Sequence, residues 1–341
     1  MDTTGRQATR EGATGEGAAI PTMTATPRWR RRLRPYLLAA PAVLLCVGIL
    51  YPFFVGVAYT VYNFSDANRE PSFVGLNNFA DILGSDALWH SARVTVSFAV
   101  AATAAETVLG VGVALLLHRS SLLGRLLERL LIVPLMVAPI IAAIMWKLIL
   151  LPEVGWVRPI LSAVGVHGYR GTDGAGAAFF WSVVVDAWLY TPFVAILALA
   201  GLRSLPNSPF EAAAVDGANW WLTFRRLTLP MLWPYVLVAV IFRFMDCLKV
   251  FDIIYGLTAG GPGDATTTLQ ISAYLEAITY ARYSRGMTFM LILWVVVYAI
   301  SFVLVRYLGR VQNRAAGISA GPSAGAQAGA PAGAAAGAEA G

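Results

Sequence analysis

The sequence predicts an all-α membrane protein with six transmembrane helices, and two observations carry this prediction. Of its 341 residues, 57% are hydrophobic and only 13% are charged, and the mean hydropathy is +0.65. Such a composition is too apolar for an ordinary soluble domain. Six stretches are also long enough to cross a hydrocarbon core, which needs about 20 apolar residues. In lipid, segments of this kind satisfy their own backbone hydrogen bonds only as helices.

The six predicted spans follow one another along most of the chain. They cover residues 36–62, 94–117, 130–151, 179–202, 233–255 and 287–308. The first span follows a basic cluster, as the apolar region of a secretory signal does. It is longer than such a region, however, and no small-residue cleavage site precedes a polar start. We therefore interpret it as a retained helix.

Arginines are distributed unevenly between alternate connections, and this bias predicts the orientation in the membrane. With the N-terminus in the cytoplasm, the inner segments hold Arg28, Arg30, Arg31, Arg32, Arg34, Arg119, Arg125, Arg129, Arg203, Arg225, Arg226, Arg306, Arg310 and Arg314. The outer connections hold fewer: Arg69, Arg93, Arg158, Arg170, Arg282 and Arg285. Both termini are predicted to be cytoplasmic. Because the arginines form no single patch interleaved with exposed aromatic residues, no nucleic-acid partner is expected.

Composition also predicts the domain limits. Residues 1–34 are expected to be a disordered cytoplasmic segment that ends in the basic cluster, and 311–341 a disordered Ala/Gly-rich cytoplasmic tail, because neither can bury enough apolar surface to offset its ordering entropy. Residues 35–310 then form one transmembrane domain. Within it, Pro134 and Pro139 remove backbone donors from the third span, which predicts a kink there.

A polar segment, EAAAVDGANWWLTFRRLTLP at 211–230, lies between the fourth and fifth spans. Pro209 suits the first turn of a helix, and the carboxylate of Glu211 complements the positive end of the helix dipole. Gly217 permits an abrupt change of direction, after which residues 220–229 can form a second short helix. The segment is predicted to be a bent two-helix element on the membrane surface.

The spacing in this segment resembles the pattern E-A-A-x3-G-x9-I-x-L-P, the signature loop of permease subunits of ATP-binding-cassette importers. An isolated E-A-A triplet would be an ordinary connector, but here the full spacing is present. The residues that fall on the pattern are Glu211, Ala212, Ala213, Gly217, Leu229 and Pro230, with Leu227 in place of the usual isoleucine. Asp216 lies within the loop, where it can pair with an arginine across a contact or remain solvated.

Two further segments resemble the sugar-importing branch of this family. Residues 251–269, FDIIYGLTAGGPGDATTTL, are similar to the pattern F-D-x-I-Y-x-L-T-x-G-G-P followed by threonines. FVGLNNF at 73–79 resembles the G-x-N-N-F element that follows the first helix. Between them, LPEVGWVRPIL departs from the family by having Arg158 where asparagine is usual.

The resemblance implies a six-helix core like that of type I importers and a role as permease subunit of a carbohydrate importer in the plasma (inner) membrane. The 211–230 element would insert into a groove on a cytoplasmic ATPase. The implied partners are a second, related permease, two copies of the ATPase, an extracytoplasmic solute-binding protein and the lipid bilayer. No cofactor is implied for this chain, since ATP and Mg²⁺ would be used by the partner ATPase.

The residues give the chain no catalytic site of its own. A phosphate-binding G-x4-G-K-[ST] loop needs a lysine after glycine, and both lysines, Lys147 and Lys249, lie in apolar stretches without one. The three histidines, His90, His118 and His167, are far apart, and neither H-E-x-x-H nor G-x-S-x-G is present. We therefore expect no enzymatic activity and no metal site.

Charged residues inside the predicted spans are the remaining candidates for function. They are Glu106, Lys147, Asp186, Arg243, Asp246, Lys249 and Asp252. Each would cost about 2.5 to 3.5 kcal/mol unpaired at a bilayer centre. The last four are spaced by three residues, so neighbours can pair along one helix. These charges either hold helices together or line the solute path.

The candidate translocation path joins these charges to aromatic and turn residues. Its members are Asp186, Tyr190, Arg243, Asp246, Lys249, Asp252, Tyr255, Thr258, Gly260, Gly261 and Pro262. An alternative function is an ion-coupled secondary transporter that would use Glu106, Asp186 or Asp252. That alternative leaves the 211–230 pattern without a role. The identity of the solute and of the partner permease is left open by the sequence.

Overall fold

The structure is a computed structural model that describes residues 28–65, 67, 70–118, 122–165 and 167–319. The described residues are largely helical. The helices are α1 (Arg28–Tyr59), α2 (Asn77–Leu83), α3 (Asp86–Leu117), α4 (Leu122–Leu130), α5 (Pro139–Leu150), α6 (Val157–Ala163), α7 (Ala175–Ser204), α8 (Ser208–Val215), α9 (Trp220–Thr223), α10 (Leu229–Cys247), α11 (Asp252–Thr258), α12 (Leu269–Tyr274) and α13 (Tyr283–Ser319). Two short strands, β1 (Tyr62–Asn63) and β2 (Ser72–Phe73), pair antiparallel.

The chain divides into two units, Met1–Phe54 and Val55–Gly341. The first contains most of α1, whose apolar side chains from Val43 to Phe54 are largely exposed. Helices α1 and α13 extend past the predicted domain limits at 35 and 310, because α1 begins at Arg28 and α13 ends at Ser319. The remaining parts of the predicted tails, 1–27 and 320–341, lie outside the described residues.

Five described helical segments are long and apolar enough to cross a membrane, and one bent pair makes six if its two parts form one span. The five are Ala39–Tyr59, Asp86–Leu117, Ala175–Ser204, Trp220–Cys247 and Tyr283–Gln312. The bent pair is Leu126–Met136 with Pro139–Leu150, whose axes differ by 96°. The kink predicted in the third span is therefore a sharp break, and residues 130–151 do not form one continuous helix. Pro134 and Pro139 explain the break, since both lack a backbone donor: Pro134 starts a short 3₁₀ helix, Pro134–Met136, and Pro139 starts α5.

The fifth predicted span, 233–255, is also wrong at its C-terminal end. Helix α10 ends at Cys247, and α11 begins only at Asp252. Lys249 therefore lies between two helices instead of along one. Packing explains the change of direction: α11 lies against α5 so closely that a Cβ on Gly256 would be 2.7 Å from the Ala143 Cβ. At its other end, α10 is continuous with α9 through a wide turn at Phe224–Thr228.

Helices α3, α7 and α10 pack against one another in the core of the second unit. Small residues let their backbones approach closely. A Cβ on Gly110 of α3 would lie 2.7 Å from the Val194 Cβ of α7, and one on Gly201 of α7 would lie 2.8 Å from the Tyr235 Cβ of α10. Helix α2 is joined to the segment that follows α1, because the Asn78 amide donates to the carbonyls of Thr60 and Tyr62, both at 2.9 Å.

This packing predicts opposite effects for one substitution at two helical glycines. In Gly201→Ala the new methyl meets Tyr235 at a distance that side chains do not tolerate, and we expect a loss of about 1 to 3 kcal/mol in stability. Gly112→Ala is the matched control, because nothing lies within 4 Å of its Cβ position. Alanine should stabilise there by about 0.4 to 1 kcal/mol. Thermal unfolding in detergent measures both, and equal shifts would contradict the close approach of α7 and α10.

Candidate functional site

Arg243 of α10 is the centre of a buried charge cluster that joins three helices. Its Nε and Nη2 donate to the two carboxylate oxygens of Glu106 on α3, at 2.7 and 2.8 Å. Nη2 also donates to Asp186 of α7 at 2.9 Å, and Nη1 donates to Asp246 at 2.6 Å. The guanidinium carbon lies 3.7 Å from the centroid of the Tyr190 ring. The guanidinium thus binds carboxylates from α3, α7 and α10 at once.

Burial makes these contacts strong. Glu106 is 0% exposed, Asp186 1% and Arg243 4%. A buried charge is costly unless it is paired and hydrogen-bonded, and the planar guanidinium can serve several acceptors in fixed directions. The predicted pairing along the fifth span is present between Arg243 and Asp246 and, at 3.6 Å, between Lys249 and Asp246. The two most buried partners, however, lie on other helices.

The same cluster has the composition of a metal site but already contains a cation. Glu106, Asp186 and Cys247 offer ligand atoms that all lie within 4.8 Å of one another. The Arg243 guanidinium donates to all three, including the Cys247 sulfur at 3.3 Å. The positive charge that these groups would otherwise require is therefore supplied by the protein itself.

A cavity of about 120 Å³ opens beside Arg243. Its lining brings together six predicted path residues: Asp186, Tyr190, Arg243, Asp246, Lys249 and Asp252. Phe251 and Pro139 also line it, the latter from the start of α5. The break between α10 and α11 places Lys249, Phe251 and Asp252 at the cavity wall. The spacing of the charges in the sequence could not reveal this arrangement of the cavity wall, because the prediction treated residues 233–255 as one continuous helix.

The other predicted path residues lie beyond this lining. Tyr255 is stacked on Phe251 with ring centroids 5.0 Å apart, and its ring meets that of Tyr274 at 4.9 Å. Tyr274, on α12, was not among the predicted residues. Tyr255 therefore extends the aromatic wall of the cavity away from the charges.

Thr258, Gly260, Gly261 and Pro262 form a turn held by threonine side chains. The hydroxyls of Thr258 and Thr266 are 2.7 Å apart, and Thr266 donates to the Gly261 carbonyl at 3.0 Å. Gly260 has a φ of +94°, which favours glycine. The turn is internally hydrogen-bonded, as expected for a structural element.

The segment at 211–230 forms two helical stretches on either side of Gly217, as predicted. The second, α9, is not a separate short helix, because it continues through Phe224–Thr228 into α10. Glu211 lies in the first turn of α8, and Gly217 has a φ of +73°, so the chain changes direction there. Asn219 caps α9 by accepting a hydrogen bond from the Leu222 backbone nitrogen at 2.8 Å. We call residues 208–230 the coupling element, after the role that the sequence pattern predicts for it. Its exposed residues include Glu211, Ala212, Asp216, Gly217, Leu229 and Pro230, whereas Ala213 and Leu227 are half-buried.

Large apolar side chains of the coupling element are exposed as well. Val215 is 89% exposed, Trp220 67% and Trp221 57%. The Trp220 ring stacks on Phe224, with centroids 5.7 Å apart. Exposed apolar groups gathered in this way are typical of interaction surfaces.

The chain matches one family model and many known proteins. Residues 106–315 match the family described as "binding-protein-dependent transport system inner membrane component". The trehalose/maltose transport system permease protein MalF of Thermococcus litoralis is 37% identical over 254 residues, covering 74% of this chain and 86% of the relative. The sulfoquinovosyl glycerol transport system permease protein SmoG of Agrobacterium fabrum is 31% identical, covering 76% and 87%.

A solved structure has the same fold. It is the crystal structure of a bacterial ABC transporter involved in the import of the acidic polysaccharide alginate, with a TM-score of 0.70, 21% identity and coverage of 83% of this chain and 98% of that chain. The relatives are transport permeases and not enzymes. The family match spans both the charge cluster and the coupling element, and the chain belongs to the family of binding-protein-dependent transport system inner membrane components.

Proposed function

We propose that this chain is the permease subunit of an ATP-driven importer of carbohydrates and forms one half of the translocation path. One observation carries the proposal: a single helix joins the coupling element to the cavity. Helix α10 starts at Leu229, and Arg243 lies roughly 20 Å further along at 1.5 Å per residue. A displacement of the coupling element is therefore transmitted directly to the cavity wall.

The coupling element is proposed to bind a cytoplasmic ATPase through Glu211, Ala212, Ala213, Asp216 and Gly217, and through Leu227, Leu229 and Pro230 at its junction with α10. Its exposed apolar side chains support a protein contact there, since they have no partner among the described residues that would bury them. ATP and Mg²⁺ would be bound by that ATPase. In this arrangement both termini are cytoplasmic and the chain lies in the inner membrane.

The solute class is proposed from the relatives and from the cavity. Relatives are named for trehalose, maltose and starch degradation products, and the cavity combines an aromatic wall with hydrogen-bonding carboxylates. The assembly would contain a second permease, two copies of the ATPase and an extracytoplasmic solute-binding protein. An ion-coupled transporter is less well supported, because Glu106 and Asp186 are already bonded to Arg243.

Reconstitution tests this function. We expect proteoliposomes that contain both permeases, the ATPase and the binding protein to accumulate labelled trehalose or maltose only when ATP is supplied, with initial rates at least about tenfold above the ATP-free level. An ATPase variant unable to hydrolyse ATP is the control. Uptake that follows an imposed proton or sodium gradient and ignores ATP would contradict the proposal.

A further inference from the structure

The two cations of the cavity differ in what they can offer a solute. Arg243 is 4% exposed and donates to Glu106, Asp186 and Asp246. Its donors are therefore committed to protein carboxylates. Lys249 is 58% exposed, and its ammonium group lies 3.6 Å from Asp246. Among the described lining residues, Lys249 is the one cation that a solute can reach.

Carboxylates outnumber this cation at the accessible wall. Asp246 is 48% exposed although it pairs with both Arg243 and Lys249, and Asp252 is exposed at the start of α11. Behind them, Glu106 and Asp186 share the single guanidinium of Arg243 with Asp246. An anionic group entering the cavity would meet like charges at short range, and such contacts are repulsive even with strong screening. Recognition of phosphate or carboxylate normally uses uncommitted arginine or lysine donors.

The same wall suits an uncharged solute that is rich in hydroxyl groups. The oxygens of Asp246 and Asp252 can accept hydrogen bonds from hydroxyls, and the Lys249 ammonium can donate to them. Phe251 adds an apolar ring face, which Tyr255 supports from behind at 5.0 Å. Aromatic rings of this kind bury apolar faces of a ligand while neighbouring polar groups fix its orientation.

We infer that the permease itself selects for uncharged, hydroxyl-rich solutes and rejects solutes that carry a phosphate, sulfonate or carboxylate. The inference rests on the proposed function and narrows its solute class. Family membership does not decide this point, because similar proteins include one named for trehalose and maltose and a structural neighbour named for an acidic polysaccharide. Selection of this kind is additional to any selection by a solute-binding protein.

A matched pair of solutes tests the inference in the complete importer. Each sugar, trehalose or trehalose 6-phosphate, is supplied bound to the solute-binding protein, and the same measured fraction of the binding protein is loaded in both cases. ATP-dependent uptake is then recorded for each sugar. We expect kcat/KM for the phosphorylated sugar to be lower by about tenfold or more, as expected for a like charge at short range. Asp252→Asn, which removes an exposed carboxylate, should reduce the ratio of kcat/KM for trehalose to kcat/KM for trehalose 6-phosphate severalfold. Asp264→Asn is the control, because that carboxylate is 76% exposed and lies outside the cavity lining.

Direct binding of the sugars to the membrane complex provides a second measurement, which does not depend on delivery by the solute-binding protein. Equilibrium dialysis of the two labelled sugars against the complex of permeases and ATPase, without binding protein, should show tighter binding of trehalose, with a smaller difference in Asp252→Asn. Equal uptake and equal binding of the two sugars, or a ratio unchanged by Asp252→Asn, would overturn the inference while leaving the proposed function intact. Failure of ATP to drive uptake of either sugar would instead overturn the proposed function.

Discussion

Arg243→Met is expected to destabilise the protein by about 3 to 5 kcal/mol and to remove most of the folded protein from the membrane. The substitution leaves Glu106 and Asp186, which are 0% and 1% exposed, without the guanidinium that both accept from. Removing one partner of a buried ion pair has an effect of this size, because the remaining charge is buried and uncompensated. The yield of folded protein and the midpoint of thermal unfolding in detergent measure it.

Two variants make this expectation specific. Arg203→Met removes a guanidinium from another bidentate pair, with Glu128, but those side chains are 51% and 31% exposed. We expect a loss of no more than about 1 kcal/mol there, as for exposed pairs. Adding Glu106→Gln and Asp186→Asn to Arg243→Met should recover much of the stability, because uncharged amides cost less to bury. If Arg243→Met and Arg203→Met behaved alike, the buried cluster would not be what holds α3, α7 and α10 together.

Gly217→Pro is expected to reduce solute uptake by at least about tenfold while ATP hydrolysis and membrane insertion continue. Gly217 has a φ of +73°, whereas proline fixes φ near −65°. No atom lies within 4 Å of the Gly217 Cβ position, so proline acts through the backbone. It changes the direction of the chain between α8 and α9, and it removes the N–H that Gly217 donates to the Ala214 carbonyl at 3.2 Å. A misdirected coupling element would no longer move with the ATPase. The ratio of solute transported to ATP hydrolysed measures the loss.

Glu211→Ala should lower the same ratio without changing the backbone, since Glu211 is an exposed side chain in the first turn of α8. Gly168→Pro is the backbone control: its φ is +89°, its Cβ position is also open, and it lies in the connection between α6 and α7. We expect that control to transport normally. Full coupling in both Gly217→Pro and Glu211→Ala would contradict the docking role of the coupling element.

Local sequence signals gave most of the fold. Apolar length predicted six crossings, and the described residues contain five helices long and apolar enough to span a membrane and one bent pair. Pro134 and Pro139 indicated where the third span is interrupted, although not that the two parts would differ in direction by 96°. The break after Cys247 had no such signal, because no proline or glycine marks it. It depends on the contact of α11 with α5.

The sequence predicted some residues of the candidate site and missed others. The charges of the fifth span were predicted either to hold helices together or to line the solute path, and the cavity does bring Arg243, Asp246, Lys249 and Asp252 together. Tyr274 was missed, because nothing in its own neighbourhood distinguishes it from an ordinary aromatic residue. Its contact with Tyr255 exists only once α12 packs beside α11.

The sequence by itself determined the membrane class, the approximate positions of the spans and the bent coupling element, because hydropathy, proline and glycine act on their immediate neighbours. The tertiary structure alone decided which charges of different helices meet. Arg243 is 137 positions from Glu106 and 57 from Asp186, and no periodicity connects residues so far apart in the chain. Their pairing follows from the close packing of α3, α7 and α10, which brings the carboxylates to the one guanidinium that can compensate them away from water.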